Sequence, residues 1–411
     1  MNRGRDGLKY IQIDIYPAKS GDAFLIKFSN GKNIVIDMGF KETYELYMKK
    51  DFLELNAIGG KINLMIISHI DKDHIEGAIQ FFKENSRNTK IIEVEEVWHN
   101  SYKHLQIKKN DNLIGNDKEL DILDEIKNSN SIEKTDEFNE NKGISALQGS
   151  TLASYLYAYN YNWNESFCGG PICSEIESNC NLDEININII SPNFKKMKNL
   201  SRIWLSFLRS KKYDFKITND VIFDDAYEFY IKNINEFEVE ESDNISYAPI
   251  KFEIEKLKLV EAKEKDNSKS NGASIGVEIS YKEKKMLFLG DCHEDIVINR
   301  LLNECKDGQE KYYDVIKLPH HGSLRNNSNW INFVRAKYYI FSTDGKSHEG
   351  HPSVEVISKI ITKNKGNKEK VYLVFNYKVE CIVYFESEEL KEIYNYDIVC
   401  SDAQEKISIC I

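Results

Sequence analysis

Ser68-His69-Ile70-Asp71-Lys72-Asp73-His74 follows directly on the apolar run Leu64-Met65-Ile66-Ile67 and leads into Ile75, Ala78, Ile79 and Phe82, which recur at helical spacing. The continuous run reads as a strand covered on both faces. The motif therefore occupies a strand-to-helix junction, a rigid place from which several side chains converge on one point. His69, Asp71, Asp73 and His74 offer two imidazoles and two carboxylates within six residues. That mixed nitrogen and oxygen set suits Zn²⁺ or Mn²⁺. A charged helix N-terminus, where the dipole favours aspartate, is the plainer alternative. Two histidines framing two aspartates at the end of a buried strand set the stretch apart from it.

Outward from this junction, Ile11, Ile13 and Ile15 alternate with polar residues, as in a half-buried strand. Ala23 to Phe28 and Asn33 to Ile36 are further strands, joined by the hairpin-like turn Ser29-Asn30-Gly31-Lys32. Ile91 to Trp98 reads as another strand. From about 105 to 145 the chain turns to Asn, Lys, Glu and Asp with little periodicity, an exposed excursion. Helical character returns at Ala146 to Tyr157, Ile185 to Ile190 is strand-like, and 218–266 is strongly acidic. Strand patterns resume at Ser274 to Ile279, Lys285 to Leu289, Tyr313 to Leu318 and Lys337 to Ser342, with helical stretches at Glu294 to Leu302 and Pro352 to Ile361. No repeat of fixed period is visible. These patterns predict a single domain over 1–411, with a core from 8–100 and 270–400 and an insertion over 101–269.

The chain of 411 residues carries 55 basic against 66 acidic side chains, a net charge of −11. With 41% hydrophobic and 29% charged residues, 20 Phe and 23 Tyr, it is globular rather than fibrous or disordered. No stretch approaches the ~20 apolar residues of a membrane span, and the opening residues lack the apolar core of a secretory signal. No membrane association and a cytoplasmic location are expected. The eight cysteines form no C-x-x-C pair. Cys168, Cys173 and Cys180 are irregularly spaced with no histidine near, so scattered reduced thiols are expected over a metal site. The acidic balance argues against coating DNA by charge alone, but leaves room for an enzyme with a locally basic groove.

Three more clusters close apolar strands or open helices. Phe288-Leu289-Gly290-Asp291 ends one strand; by itself a Gly-Asp pair is more often a turn than a ligand. Leu318-Pro319-His320-His321-Gly322-Ser323 ends another, and adjacent histidines there can divide the roles of ligand and proton donor. His348-Glu349-Gly350-His351-Pro352 leads into a helix. All four clusters lie on strand-to-loop edges.

His69-x-Asp71-x-Asp73-His74 resembles the H-x-[HD]-x-D-H signature of the metallo-β-lactamase fold, with Asp71 where a second histidine usually stands. Ser20-Gly21-Asp22-Ala23 followed by Ile36-Asp37-Met38-Gly39 resembles the opening of ComEC-type domains, the soluble hydrolase part of DNA-uptake channels. Asn271-Gly272-Ala273-Ser274, Leu289-Gly290-Asp291, Pro319-His320-His321-Gly322-Ser323 and Gly350-His351-Pro352 resemble later motifs of the same branch, in the same order. The resemblance implies an α+β fold: an αββα metallo-β-lactamase sandwich with a polar, partly helical insertion. It implies two divalent cations, Zn²⁺ or Mn²⁺. Asp73, His74 and His321 would hold one, His69 and Asp71 the other, and Asp291 would bridge. Asp37 and Asn271 would stand behind these ligands. Asp73, His320 and His351 would act on the reacting group. One departure is Ile190-Ser191-Pro192, where relatives often supply a further histidine; His99 is the candidate substitute, with a structural hydrogen bond as its other reading. His104 and His293 read as exposed and receive no role.

Residues 195–216 add Lys195, Lys196, Lys198, Arg202, Arg209, Lys211, Lys212 and Lys216 against the single acid Asp214. Leu200, Ile203, Trp204, Phe207 and Leu208 recur at helical spacing, so the basic residues face outward. Lys195, Lys198, Arg202, Arg209 and Lys212 are candidates to contact a phosphodiester backbone; an ordinary solvated helix face is the alternative. The leading expectation is a metal-dependent hydrolase, a phosphodiesterase or nuclease acting on DNA or RNA through a metal-activated hydroxide. Two other functions stay open: a small-molecule phosphoester or lactone hydrolase, and a metal-binding subunit active only with a protein partner docked through the insertion.

Overall fold

The computed structural model describes residues 11–85, 90–105, 151–210, 221–234, 253–304, 309–347, 350–401 and 405–411. Its strands follow from the apolar periodicity. In β1 (Gln12–Ile15), β2 (Ala23–Lys27) and β3 (Asn33–Met38), the residues Ile13, Ile15, Phe24, Ile26, Ile34 and Ile36 all turn into one core. β1 to β3 are antiparallel neighbours, and β3 then pairs in parallel with β4 (Leu64–Ile66), which pairs in parallel with β5 (Val97–Trp98). The expected strand from Ile91 to Trp98 is shorter. Ahead of Val97 the backbone meets its neighbour through an isolated bridge at Ile62 and Val94, with Ile62 N–H to Glu93 O, Glu95 N–H to Ile62 O and Met65 N–H to Glu96 O at 2.9–3.0 Å. Helix α1 (Lys72–Glu84) crosses back over this sheet, burying Ile75, Ala78, Phe81 and Phe82.

Beyond α1, helix α2 (Leu152–Ala158) precedes β6 (Asn179–Leu182) and β7 (Ile185–Ser191). Both strands belong to the second sheet, in the order β13-β12-β11-β10-β9-β8-β7-β6. The alternating Ile185, Ile187 and Ile189 are fully buried between the sheets. The stretch 101–269 therefore does not stand wholly outside the core, because β7 pairs with β8 (Gly276–Tyr281) across six positions. Helices α3 (Phe194–Ser210) and α4 (Val221–Ile234) pack with α2 over the first sheet, and their Met197, Leu200, Trp204, Phe223 and Tyr227 join the same buried cluster as its side chains. The acidic residues of α4 turn inward. Asp224 accepts from Lys103 N–H at 2.6 Å, and Glu228 accepts from Ala153 N–H at 2.9 Å. The rest of the polar excursion from 106, and residues 218–220 and 235–252 of the acidic stretch, lie outside the described residues.

A short helix, α5 (Lys269–Gly272), leads into β8 and β9 (Lys284–Phe288). Helix α6 (Glu294–Glu304) then connects to β10 (Lys311–Lys317), β11 (Val334–Phe341), helix α7 (Val354–Lys363), β12 (Val371–Phe375) and β13 (Tyr396–Cys400). From β9 to β13 the strands run parallel, with α6 and α7 on their outer face. The last strand, β14 (Ile407–Cys410), returns to the first sheet and pairs with β1, past the expected core limit at 400. Two sheets face each other across an isoleucine-rich core and helices cover both outer faces, the layering of a metallo-β-lactamase fold. No helix among the described residues is long and apolar enough to cross a membrane.

Candidate metal centre

Three of the chemical clusters, with His351 of the fourth, meet at one end of the two sheets, beyond the carboxyl ends of β4, β9 and β10. The loop after β1 comes in first. A Cβ on Gly21 would stand 1.8 Å from the carbonyl oxygen of Asp73, so only glycine lets Asp22 reach the start of α1. Asp22 N–H then donates to Asp73 O at 3.2 Å, and Ser342 Oγ beyond β11 donates to Gly21 O at 2.6 Å. The loop after β9 is tied to its neighbours by Ser274 Oγ, which accepts from Asp291 N–H at 3.1 Å, and by Gly290 O, which accepts from His320 N–H at 3.0 Å. His320 and His321 both adopt left-handed backbone, at φ 48° and 55°. Such a conformation costs a side-chain-bearing residue roughly 1–2 kcal/mol. The loop is held there by Asn327 Nδ2, which donates to Pro319 O and Ser323 O at 2.8 and 2.7 Å.

The donors converge. His74 Nε2 lies 3.5 Å from Asp291 Oδ1 and 3.9 Å from Asp73 Oδ1. His321 Nε2 lies 3.5 Å from Asp73 Oδ2 and 3.6 Å from Asp291 Oδ2. His69 Nε2 lies 3.5 Å from Asp71 Oδ2 and 3.8 Å from Asp291 Oδ2. Two of the groupings able to hold an ion are His69, His74, Asp291 and Asp73, His74, His321, each with its ligand atoms within 4.8 Å of one another. The Nε2 atoms of His69 and His74 and Oδ1 of Asp291 are buried with no hydrogen-bond partner among the described residues. Leaving such atoms unsatisfied costs about 1–3 kcal/mol each, and their number, type and convergence fit a divalent cation.

The residues behind this shell fix its geometry. Asp37, itself in left-handed backbone at φ 53°, is fully buried. Its carboxylate accepts from Ser68 N–H at 2.7 Å and Ser68 Oγ at 2.6 Å, and bonds His74 Nδ1 at 2.8 Å. That bond directs His74 Nε2 to the cluster. Burial disfavours the His74 imidazolium, but Asp291, Asp73 and Asp37 outweigh it and hold the ring well above the ordinary histidine range. Burial likewise works against ionised Asp291, yet His321, His74 and His320 keep its carboxyl well below the usual carboxylate range.

Lys317, fully buried at the end of β10, was not a candidate from the sequence. Its ammonium pairs with Asp22, donates to Gly290 O at 2.9 Å and lies 3.8 Å from Asp291 Oδ1. Despite burial, Asp22 and Asp291 keep it above the ordinary lysine range. The one available signal was a lysine breaking the apolar run Val315-Ile316-Lys317-Leu318. Asp22 stood in a quoted motif without a role; it lies 3.7 Å from His321 Nδ1. Asp266, from the acidic stretch, approaches His320 Nδ1 to 3.5 Å.

Asp71 stands a step back, accepting from Ser270 Oγ at 3.1 Å. Asn271 touches no ligand directly; its Nδ2 donates to Asp266 at 3.0 Å and its Oδ1 lies 3.4 Å from Ser270 Oγ, while Ser270 and Ser274 contact Asp71 and His69. His320 bonds Asn326 Oδ1 through Nδ1 at 3.0 Å, and its ring centroid lies 5.1 Å from that of His351. His99 does not join the cluster: its Nε2 bonds Glu228 at 2.9 Å, the structural role. His104 and His293 are buried, at 2% and 7% exposure, rather than exposed. Lys195, Lys198, Arg202 and Arg209 are exposed along α3, whereas Lys212, His348 and Glu349 lie outside the described residues.

Residues 16–139 match the model of the family described as the Metallo-beta-lactamase superfamily. Among solved structures, the chain is similar to the metallo-beta-lactamase fold protein YhfI from Bacillus subtilis, at 7% identity and a TM-score of 0.36 over 98% of this chain and 100% of that one. No curated protein matches it. The family match, together with the buried imidazole and carboxylate cluster, supports a metal-dependent hydrolase.

Proposed function

We propose that this chain is a phosphodiesterase that cleaves nucleic acid, DNA or RNA, with two divalent cations, Zn²⁺ or Mn²⁺, held by His69, Asp71, Asp73, His74, Asp291 and His321. The observation that carries the reading is the carboxylate-rich cluster, with Asp73 and Asp291 both within 4 Å of His74 and His321, beside a lysine-bearing helix. Carboxylates make the site harder than an all-histidine one and favour Mn²⁺ alongside Zn²⁺. The order of the ComEC-like motifs agrees with it. Bound cations supply Lewis acidity, offset charge building on phosphoryl oxygens and lower the pKa of water.

The protein's own residues do the rest. Asp37 and Ser68 hold the His74 ring, and Lys317 fixes Asp291 and Asp22 from the buried side. Asn326 Oδ1 accepts from His320 Nδ1–H, with Asp266 beside it. The protonated ring is therefore assigned to hand its Nε2 proton to the leaving oxygen and return to the neutral form, with His351 next to it. The test is cleavage of single- and double-stranded DNA and RNA by purified protein with Mn²⁺, Zn²⁺ or Mg²⁺. Cleavage lost with chelator and abolished by Asp73→Ala or Asp291→Ala is expected. A full-length, metal-loaded protein that cuts no phosphodiester overturns the reading, and turnover of small phosphoesters alone replaces nucleic acid with a small substrate.

A further inference from the structure

Two adjoining cavities lie along one face of α3. The first, of about 220 Å³, is walled by Lys195, Lys196, Lys269, Asp266 and His293. The second, of about 570 Å³, is walled by Arg202, Ile203, Phe207 and Tyr230. Asn199 and Lys269 border both, so the two form one groove. Lys195, Asn199, Arg202 and Ser206 fall three or four residues apart, a single stripe on the helix. Lys198 and Arg209 line neither cavity.

The chemistry changes along the groove. At the first end, Lys196 Nζ donates to His293 Nδ1 at 2.7 Å and pairs with Asp295 at 2.8 Å. Accepting at Nδ1 places the ring hydrogen of His293 on Nε2. His293 is 7% exposed, and its Nε2 has no hydrogen-bond partner among the described residues; Asp266 Oδ1 stands 3.6 Å away. Three lysine side chains around one small cavity, with Asp266 the one carboxylate on its wall, match the oxygens of a phosphate. At the second end, the rings of Phe207 and Tyr230 stack at 3.8 Å between centroids, and Trp204 stacks on Phe207 at 5.6 Å. Such an aromatic platform beside Arg202 matches the face of a nucleobase. The first end adjoins the metal centre: Asp266 Oδ2 lies 3.5 Å from His320 Nδ1, and Ser270, next to Lys269, donates to Asp71.

We propose that this groove is the binding track for single-stranded nucleic acid, with one phosphate among Lys195, Lys196 and Lys269 and a base on the Phe207–Tyr230 platform. A strand so held leads a neighbouring phosphodiester to the metal centre. A duplex keeps its base faces stacked on each other and has none to lay on the platform, so the groove selects single strands. This inference rests on the phosphodiesterase reading of the metal centre, and binding separates the two.

The experiment measures fluorescence anisotropy of labelled single-stranded DNA, single-stranded RNA and duplex DNA with the full chain in chelator, where no cleavage occurs. Single strands should bind about tenfold tighter than duplex, and Phe207→Ala should weaken them at least about fivefold, as for a lost stacking contact. Because Phe207 also packs on Trp204, the exposed Lys195→Gln supplies a second readout. It should weaken binding and flatten the dependence of log affinity on log salt by about 0.7. Lys198→Gln should bind as the unaltered chain does. Equal affinity for duplex, or Phe207→Ala and Lys195→Gln variants that bind like Lys198→Gln, overturns the groove. Strand-selective binding without cleavage once metal is restored supports the groove and sinks the phosphodiesterase reading instead.

Discussion

At position 317 an ammonium group is fully buried between two carboxylates, Asp22 and Asp291. Removing one partner of a buried ion pair leaves an uncompensated charge, at a cost of about 3–5 kcal/mol. Lys317→Met should therefore lose stability of that order in metal-free protein, and added Mn²⁺ or Zn²⁺ should restore part of it by meeting the same carboxylates. Urea unfolding with and without chelator checks this; a Met variant within ~1 kcal/mol of the unaltered chain in chelator would contradict it. The same scale shows why Asp37 was legible and Lys317 was not. Asp37 sits in the short string Ile36-Asp37-Met38-Gly39, which the resemblance to ComEC-type domains picks out. A lysine at a strand end looks like an exposed residue until the fold places two acids against it.

Among the elements, α4 carries the least expected chemistry. Its Asp224 is buried, accepts from Lys103 N–H and from the Tyr157 hydroxyl, and burial pushes its carboxyl up to about 6. A carboxyl raised in the folded state stabilises the fold below its unfolded pKa of 3.8 and loses that contribution as pH rises through about 6. Stability should thus fall between pH 4 and 7 by about 2 kcal/mol from this group, because each tenfold difference in proton affinity between folded and unfolded chain is worth ~1.4 kcal/mol. Asp224→Asn should flatten that slope, as read from thermal melts at several pH values; an unchanged slope would place the effect elsewhere. The helical periodicity of α3 could be read from Leu200, Trp204 and Leu208, which are buried as expected. The direction of its basic side chains could not, because which stripe borders a cavity depends on α5 and α6, distant in sequence.

Across the whole molecule, the candidate metal centre draws on the loop after β1, on β3, the start of α1 and the loops after β9 and β10, and so joins both sheets. A cation bound only by the folded chain stabilises it by about 2.7 kcal/mol at a hundredfold excess over its dissociation constant. Chelation should lower the melting temperature by a few degrees, and Asp291→Ala should abolish the difference between chelated and metal-loaded protein; calorimetry of both forms decides it. The sequence by itself determined most of the strands, though not β6 or β12 to β14, through period-two and continuous apolar runs, and the candidate ligand types, because imidazole and carboxylate clusters at strand ends are local in the chain. Only the tertiary structure decided that β7 completes the second sheet, that His99 serves Glu228, that Lys317 neutralises Asp22 and Asp291, and that Lys195 rather than Lys198 lines the groove. Each of those depends on contacts between residues far apart in the chain, and burial, charge pairing and cavity shape exist only once both sheets have closed on their common core.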